Sequence, residues 1–155
     1  MGDALRRRIR QNRFESPMQE AIVNVVVAAN YVRERNDRAL SEYGLTSPQY
    51  NVLRILRGVH PDGHPRCEIA ARMLDRAPDV TRIIDRLEEK GLVERERSGT
   101  DRRHSITRIT REGLRVLEKL DAPMRQALVD LKDRLSMRDC RELSRILEKL
   151  YDVED

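Results

Sequence analysis

Apolar residues recur at helical spacing along almost the whole chain, and the pattern breaks once, between residues 92 and 109. Pro17 follows Ser16 and opens a stretch to Tyr43 in which Ile22, Val25, Val26, Ala29, Val32 and Leu40 return every three or four positions, until Gly44 ends it. In LTSPQYNVLRILRG, Ser47 before Pro48 is a good helix start, and Thr46 with Gln49 is a competing capping box. Val52, Leu53, Ile55 and Leu56 then form a stripe that runs to Gly58. The Pro and Gly content of VHPDGHP predicts a loop over residues 59–65, followed by a short helix from Pro65 to about Leu74 that buries Ile69, Ala70 and Met73.

Asp75, Arg76 and Ala77 form a tight connection to a second short helix, opened by Pro78 and closed by Lys90 and Gly91. Two short helices across a short turn make a helix-turn-helix. In the second helix Val80, Ile84 and Leu87 fall on the core side with Ile83 beside them, which leaves Asp79, Thr81, Arg82, Asp85 and Arg86 outward. LVERER and HSITRI then flank a turn from Ser98 to Arg103, a β-hairpin whose tip holds Arg102, Arg103 and His104. From Thr110 the helical pattern resumes as one long stripe of Leu117, Leu120, Met124, Leu128, Leu131 and Leu135, and a last helix from Met137 to about Tyr151 adds Leu143, Ile146, Leu147 and Leu150. The fold class predicted is mainly α with a small β-hairpin wing: a winged helix-turn-helix plus long dimerisation helices.

At 155 residues, the chain is one domain's worth. It divides into a basic amino-terminal arm (1–16), a winged helix-turn-helix region (44–110) and a helical dimerisation region (17–43 and 111–155). The helical stripes exceed what a small winged domain covers, so a second copy is the expected partner and the chain is predicted to be a homodimer; an intrachain bundle is the alternative. The formal charge is +4, with an excess of +3 on residues 1–16 and +3 on residues 66–111, so the remainder is acidic. Of the 31 cations, 27 are arginine, the side chain suited to bidentate phosphate recognition. No apolar run is long enough to cross a membrane, and LRRRIRQNRFE lacks the apolar core of a secretory signal, so the predicted location is cytoplasmic, with no membrane partner.

Arg82 and Arg86 lie four apart and project from one helix face. Either they meet a polyanion, where arginine bonds guanine and a threonine methyl touches a thymine methyl, or they pair with Asp79 and Asp85. The basic hairpin favours the first, with double-stranded DNA as the partner and Arg103 in the minor groove. Asp101 cannot contact phosphate favourably, so it is expected to cap the turn or orient a neighbouring arginine.

The chain resembles the MarR family of bacterial transcription regulators. The matching residues are GLTSPQYNVLRIL (Gly44 to Leu56), EIAARM (Glu68 to Met73), DVTRIIDRLEEKGLVER (Asp79 to Arg95), and the wing pattern of Asp101 and Arg103 followed by Ile109, Thr110 and Gly113. The resemblance implies an obligate dimer on a pseudo-palindromic operator, usually a repressor. It makes Thr81, Arg82 and Arg86 major-groove readers and Arg103 the wing arginine beside Arg102, with Pro78 and Asp79 near DNA. It also implies release by a small, often aromatic or anionic, effector in a crevice between the dimer helices and the winged domain. Tyr31, Arg35, Tyr50 and Asn51 are candidates to line that crevice, Tyr31 and Tyr50 equally so as core aromatics.

Hydroperoxide-sensing relatives carry a cysteine in the first long helix, and this chain has none there. Cys67 and Cys140 stand far apart, with reduced thiols as the default. His60, His64 and Cys67 form an HxxxHxxC run with Asp62 inside it, the basis of an alternative metal- or thiol-responsive sensor. Without a fourth ligand the run assigns no metal, and no cofactor is expected. Nothing marks an oxyanion site, so no enzyme activity is predicted.

Overall fold

This computed structural model describes residues 2–10, 13–75, 79–96 and 105–152, and of Asp130 the backbone alone. Among the described residues the elements run α1 (Asp3–Ile9), α2 (Pro17–Ser41), α3 (Ser47–Arg57), β1 (His64–Pro65), α4 (Arg66–Arg72), α5 (Val80–Glu89), β2 (Val93–Glu96), β3 (Ile106–Ile109), α6 (Arg111–Gln126), α7 (Val129–Lys132) and α8 (Met137–Glu148). Mainly helical, with one small antiparallel sheet, this is a winged helix-turn-helix carrying additional long helices.

The core gathers around α3. Val52, Leu53 and Leu56 are fully buried and join Leu40 of α2, Ile69 of α4, Ile84 and Leu87 of α5, Val93 of β2 and Leu117 and Leu120 of α6 in one cluster. The two candidate starts of α3 resolve in favour of the capping box. Thr46 is the N-cap, its hydroxyl accepting from Gln49 N at 3.4 Å while the Gln49 amide accepts from Thr46 N at 3.1 Å, so two otherwise orphaned donors are satisfied reciprocally. The Ser47 hydroxyl is left to donate to Asp37 at 2.6 Å, which ties the start of α3 to α2.

The segment predicted as a loop over residues 59–65 ends instead in a strand. His64 pairs with Thr107 and Pro65 with Ile106, so the sheet has three strands in the order β1-β3-β2. Gly63 permits this: its φ is +77°, and a Cβ there would lie 2.4 Å from Thr107 O and 2.7 Å from Arg108 Cγ. Between β2 and β3, Val93 faces Ile109 and Glu96 faces Ile106. The turn predicted between them, Ser98 to Arg103, lies outside the described residues.

The Thr-x-x-Gly pattern after β3 has a local cause. Thr110 caps α6, accepting from Gly113 N at 3.1 Å and donating its own hydroxyl to Gly91 O at 2.7 Å. Gly113 itself packs where a Cβ would fall 2.3 Å from Leu92 O. One side chain thus joins the ends of α5 and β3 to the start of α6.

The stripe predicted to run unbroken from Thr110 to Leu135 divides at the end of α6. In a continuous helix the Ala127 carbonyl would accept from Leu131 N. It accepts from Arg35 Nε at 2.8 Å instead, and Leu131 N turns to Leu128 O at 3.1 Å. Pro123, inside α6, brings no N–H for Lys119 O, to which the Tyr43 hydroxyl makes a long 3.5 Å hydrogen bond.

Residues 1–16, expected as an arm, contain the helix α1, with Leu5 buried and Gly2 N donating to Glu20 at 2.9 Å. At the other end α8 has no buried residue. Its capping box closes through Ser136 and Asp139, and that carboxyl is held below its ordinary value, first by the Ser136 hydroxyl and then by the Ser136 backbone. A depressed value means the cap is intact at neutral pH and weakens only as pH falls through it.

Gly63→Ala is expected to destabilise the fold by about 1–3 kcal/mol, because the added methyl must displace β3 backbone at an already left-handed φ. Urea unfolding at fixed protein concentration measures this, and a wild-type midpoint would contradict the packing described for β1.

Candidate nucleic-acid interface

The two short helices of the helix-turn-helix are α4 and α5, and the turn between them begins on a tether. The Asn51 side-chain oxygen, from α3, accepts from Leu74 N at 2.9 Å, so the chain leaves α4 in a defined direction. Arg76, Ala77 and Pro78 lie outside the described residues. Asp79 then caps α5, accepting from Arg82 N at 3.2 Å.

The face of α5 sorts as its periodicity requires. Val80, Ile84 and Leu87 are buried, Ile83 and Asp85 half-buried, and Thr81, Arg82 and Arg86 exposed. Pairing of the arginines with their neighbouring carboxylates is not what the structure contains. Asp79 is committed to the helix cap, Asp85 pairs with Arg95, and among the described residues neither Arg82 nor Arg86 forms an ion pair. Both guanidinium-bearing side chains line a groove of about 400 Å³ with Ile83, the capping Asp79, and Thr46, Pro48 and Gln49 at the amino-terminal end of α3. Two unpaired cations beside a positive helix end form a surface suited to phosphate and base edges.

Arg95 escaped the sequence reading. It sits on β2, reaches back to pair with Asp85, and lies 3.6 Å from Glu88, so it braces the first wing strand against α5. A second pair, Arg108 with Glu96, joins β3 to β2 across the hairpin. Alternating charge on β2 offered a signal, since Arg95 sits between two carboxylates, Glu94 and Glu96, in sequence, but only the approach of α5 selects its partners. Arg66, the first residue of α4, also went unassigned, and it donates to the Thr81 hydroxyl at 3.2 Å. The wing residues Asp101, Arg102 and Arg103 lie outside the described residues.

The four residues expected to line an effector crevice occupy two places. Arg35 donates to Ala127 O and, at 2.9 Å, to the Tyr31 hydroxyl, with its guanidinium 5.5 Å from the Tyr31 ring centre. It lines an open groove of about 470 Å³ between α2 and α6, with Arg38, Ala39, Glu42, Pro123, Gln126 and Ala127. Tyr50 packs against the core and accepts from Arg54 at 3.1 Å, and the Asn51 oxygen is spent on Leu74. Neither Tyr50 nor Asn51 lines that groove.

His60, His64 and Cys67 do not converge: among the described residues no group of three or more His, Cys, Asp or Glu side chains is placed to hold a metal ion. Cys67 is exposed on α4, and His64 lies in β1 with its Nε2 buried and without a hydrogen-bond partner among the described residues. Among the described residues no helix is long and apolar enough to cross a membrane.

The sequence pattern of the MarR family matches residues 45–105. The HTH-type transcriptional regulator YwoH of Bacillus subtilis (strain 168) is 34% identical over 110 residues, a span covering 68% of this chain and 78% of that protein. The crystal structure of a MarR transcription factor from Planctomyces limnophilus is similar at 38% identity and a TM-score of 0.69, over 88% of this chain and 98% of the other. MepR of S. aureus, solved in complex with DNA, shares the fold at 21% identity and a TM-score of 0.74, over 84% of this chain and 95% of its own.

Replacing Arg95 with Ala is expected to lower stability by about 1 kcal/mol, the scale of a small, partly exposed ion-pair network. The same substitution in a background lacking both Asp85 and Glu88 is expected to cost much less. Equal losses in the two backgrounds, measured by chemical denaturation, would remove the brace.

Proposed function

The chain belongs to the MarR family and is a DNA-binding transcription regulator, not an enzyme, and we propose that it binds a pseudo-palindromic operator as a cytoplasmic homodimer and represses the adjacent genes. The observation that carries the interface is the outward face of α5, where Arg82 and Arg86 stand exposed beside Thr81, with no ion pair among the described residues, while the opposite face is locked into the core. Thr81, Arg82 and Arg86 read the major groove from there. Asp79 fixes the helix start that presents them, with Pro78 before it. Arg103 is the wing arginine proposed for the neighbouring minor groove, with Arg102 a further DNA contact and Asp101 serving to cap the turn or orient a neighbouring arginine.

The homodimer is supported by apolar surface that one chain leaves uncovered. On α2, Met18, Ile22 and Val26 recur every four residues and are 66%, 43% and 54% exposed. On α8 and just past its end, Leu143, Ile146 and Leu150 are each nearly half exposed, and the helix buries none of its residues. A single copy would leave these stripes in water, whereas a second copy supplies the same stripes to cover them.

An effector of small anionic or aromatic character is proposed for the groove between α2 and α6, where Arg35 and Arg38 line the wall with Glu42 and Pro123, and Tyr31 lies outside the lining. Such a molecule acts only through its differential affinity for the DNA-bound and free separations of the two recognition helices.

Selection from a randomised duplex library is expected to return a two-fold site whose half-site centres lie about 10 bp apart, with affinity falling steeply as salt rises. Arg82→Ala is expected to weaken binding and relax base preference, and Arg103→Ala to weaken it; unchanged affinity in both would contradict the interface. Leu143→Glu combined with Ile146→Glu is expected to give a monomer by light scattering with at least tenfold weaker operator binding. A monomeric wild-type protein that still binds the full site would remove the dimer.

A further inference from the structure

Resting on the DNA-binding function proposed above, we infer that Arg66 is a specificity-determining positioning residue, which turns the Thr81 hydroxyl into a directed hydrogen-bond donor toward a base edge. The two residues come from different helices of the helix-turn-helix, Arg66 from the first turn of α4 and Thr81 from the first turn of α5, and both are exposed. The Arg66 guanidinium donates to Thr81 Oγ1 at 3.2 Å.

The direction of that bond is forced by chemistry. A guanidinium carries five N–H donors and no acceptor, so the hydroxyl oxygen must accept, and one of its two lone pairs is taken. The hydroxyl proton then has to go elsewhere. In a helix interior a threonine often gives it to the carbonyl three or four residues back. Thr81 is the second residue of α5, and among the described residues no carbonyl accepts from its hydroxyl. The proton is left for the solvent side, where the groove of a duplex would lie.

A hydroxyl that accepts from a cation is a stronger donor and a poorer acceptor than a free one, because the bonds polarise one another. Thr81 held in this way selects an acceptor: a purine N7, guanine O6 or thymine O4. It is correspondingly mismatched to the amino groups of cytosine and adenine, which are donors themselves. The methyl group of Thr81, fixed by the same bond, is held in one rotamer instead of sampling several. Arg66 keeps four N–H groups for a nearby phosphate, so one side chain can orient the reader and anchor the backbone it reads.

The experiment is a double-mutant cycle of Arg66→Ala and Thr81→Val on the duplex that the wild-type protein enriches from a randomised library, and on its single base-pair variants. Valine keeps the shape of threonine without the hydroxyl, and circular dichroism verifies that each exposed-site variant is folded. Both single variants are expected to lose preference at the same base pair, by about fivefold or more, the lower end of what a mismatched pair costs. The double variant is expected to be no worse there than either single one, since neither group acts alone. A uniform loss across all duplexes for Arg66→Ala, with a shallower salt dependence, would make Arg66 a phosphate contact only and overturn the inference. Multiplicative losses in the double variant, or loss of preference at different base pairs, would overturn it equally. If the wild-type protein enriches no duplex at all, the DNA-binding proposal itself fails and this inference with it.

Discussion

Everything at the interface depends on how α5 is anchored. A ten-residue helix has room for one buried stripe, and Val80, Ile84 and Leu87 use it against a core organised by α3. With those three positions held, 3.6-residue geometry leaves Thr81, Arg82 and Arg86 no place but outside. The cations do not need to be held out by any special contact. Burying either without a partner would cost far more than the few kcal/mol by which a small domain is stable.

α5 is also held by polar contacts at both ends. Asp79 caps its start, and Arg95 ties Asp85 and Glu88 to the wing. Lys90, just past its carboxyl end, donates to the Gly44 carbonyl at the end of α2. Arg35, nearer the middle of α2, holds the carboxyl end of α6 through Ala127. α2, which carries uncovered apolar surface, is thus connected by short polar links to α6 and, through the residues that follow it, to the end of α5.

Several features of the site come from residues that take a partner distant in sequence. Asn51 was expected on an effector crevice and spends its oxygen on the first residue of the helix-turn-helix connection. Arg35 satisfies a carbonyl 92 residues away and in doing so ends the α6 stripe. His64 and Pro65, punctuation by composition, become a strand because Gly63 lets the chain pass over β3. Each is a case where local propensity set a default and a single long-range hydrogen bond or close approach replaced it.

Alternation and capping chemistry alone determined most of the architecture. The 3.6-residue stripes set α3 and α5 with their buried faces, and Ser16, Thr46, Thr110 and Ser136 mark helix starts that the backbone donors require. The outward set Thr81, Arg82 and Arg86 follows from the same periodicity, which is a property of neighbours in sequence. Which carboxylate answers which arginine does not follow, because opposite charges attract at any separation in sequence and the chain offers 27 acidic groups to 31 cations. Only the packed arrangement of α4, α5 and the wing decided that Asp85 answers Arg95, that Asp79 serves the backbone, and that Arg66 reaches Thr81.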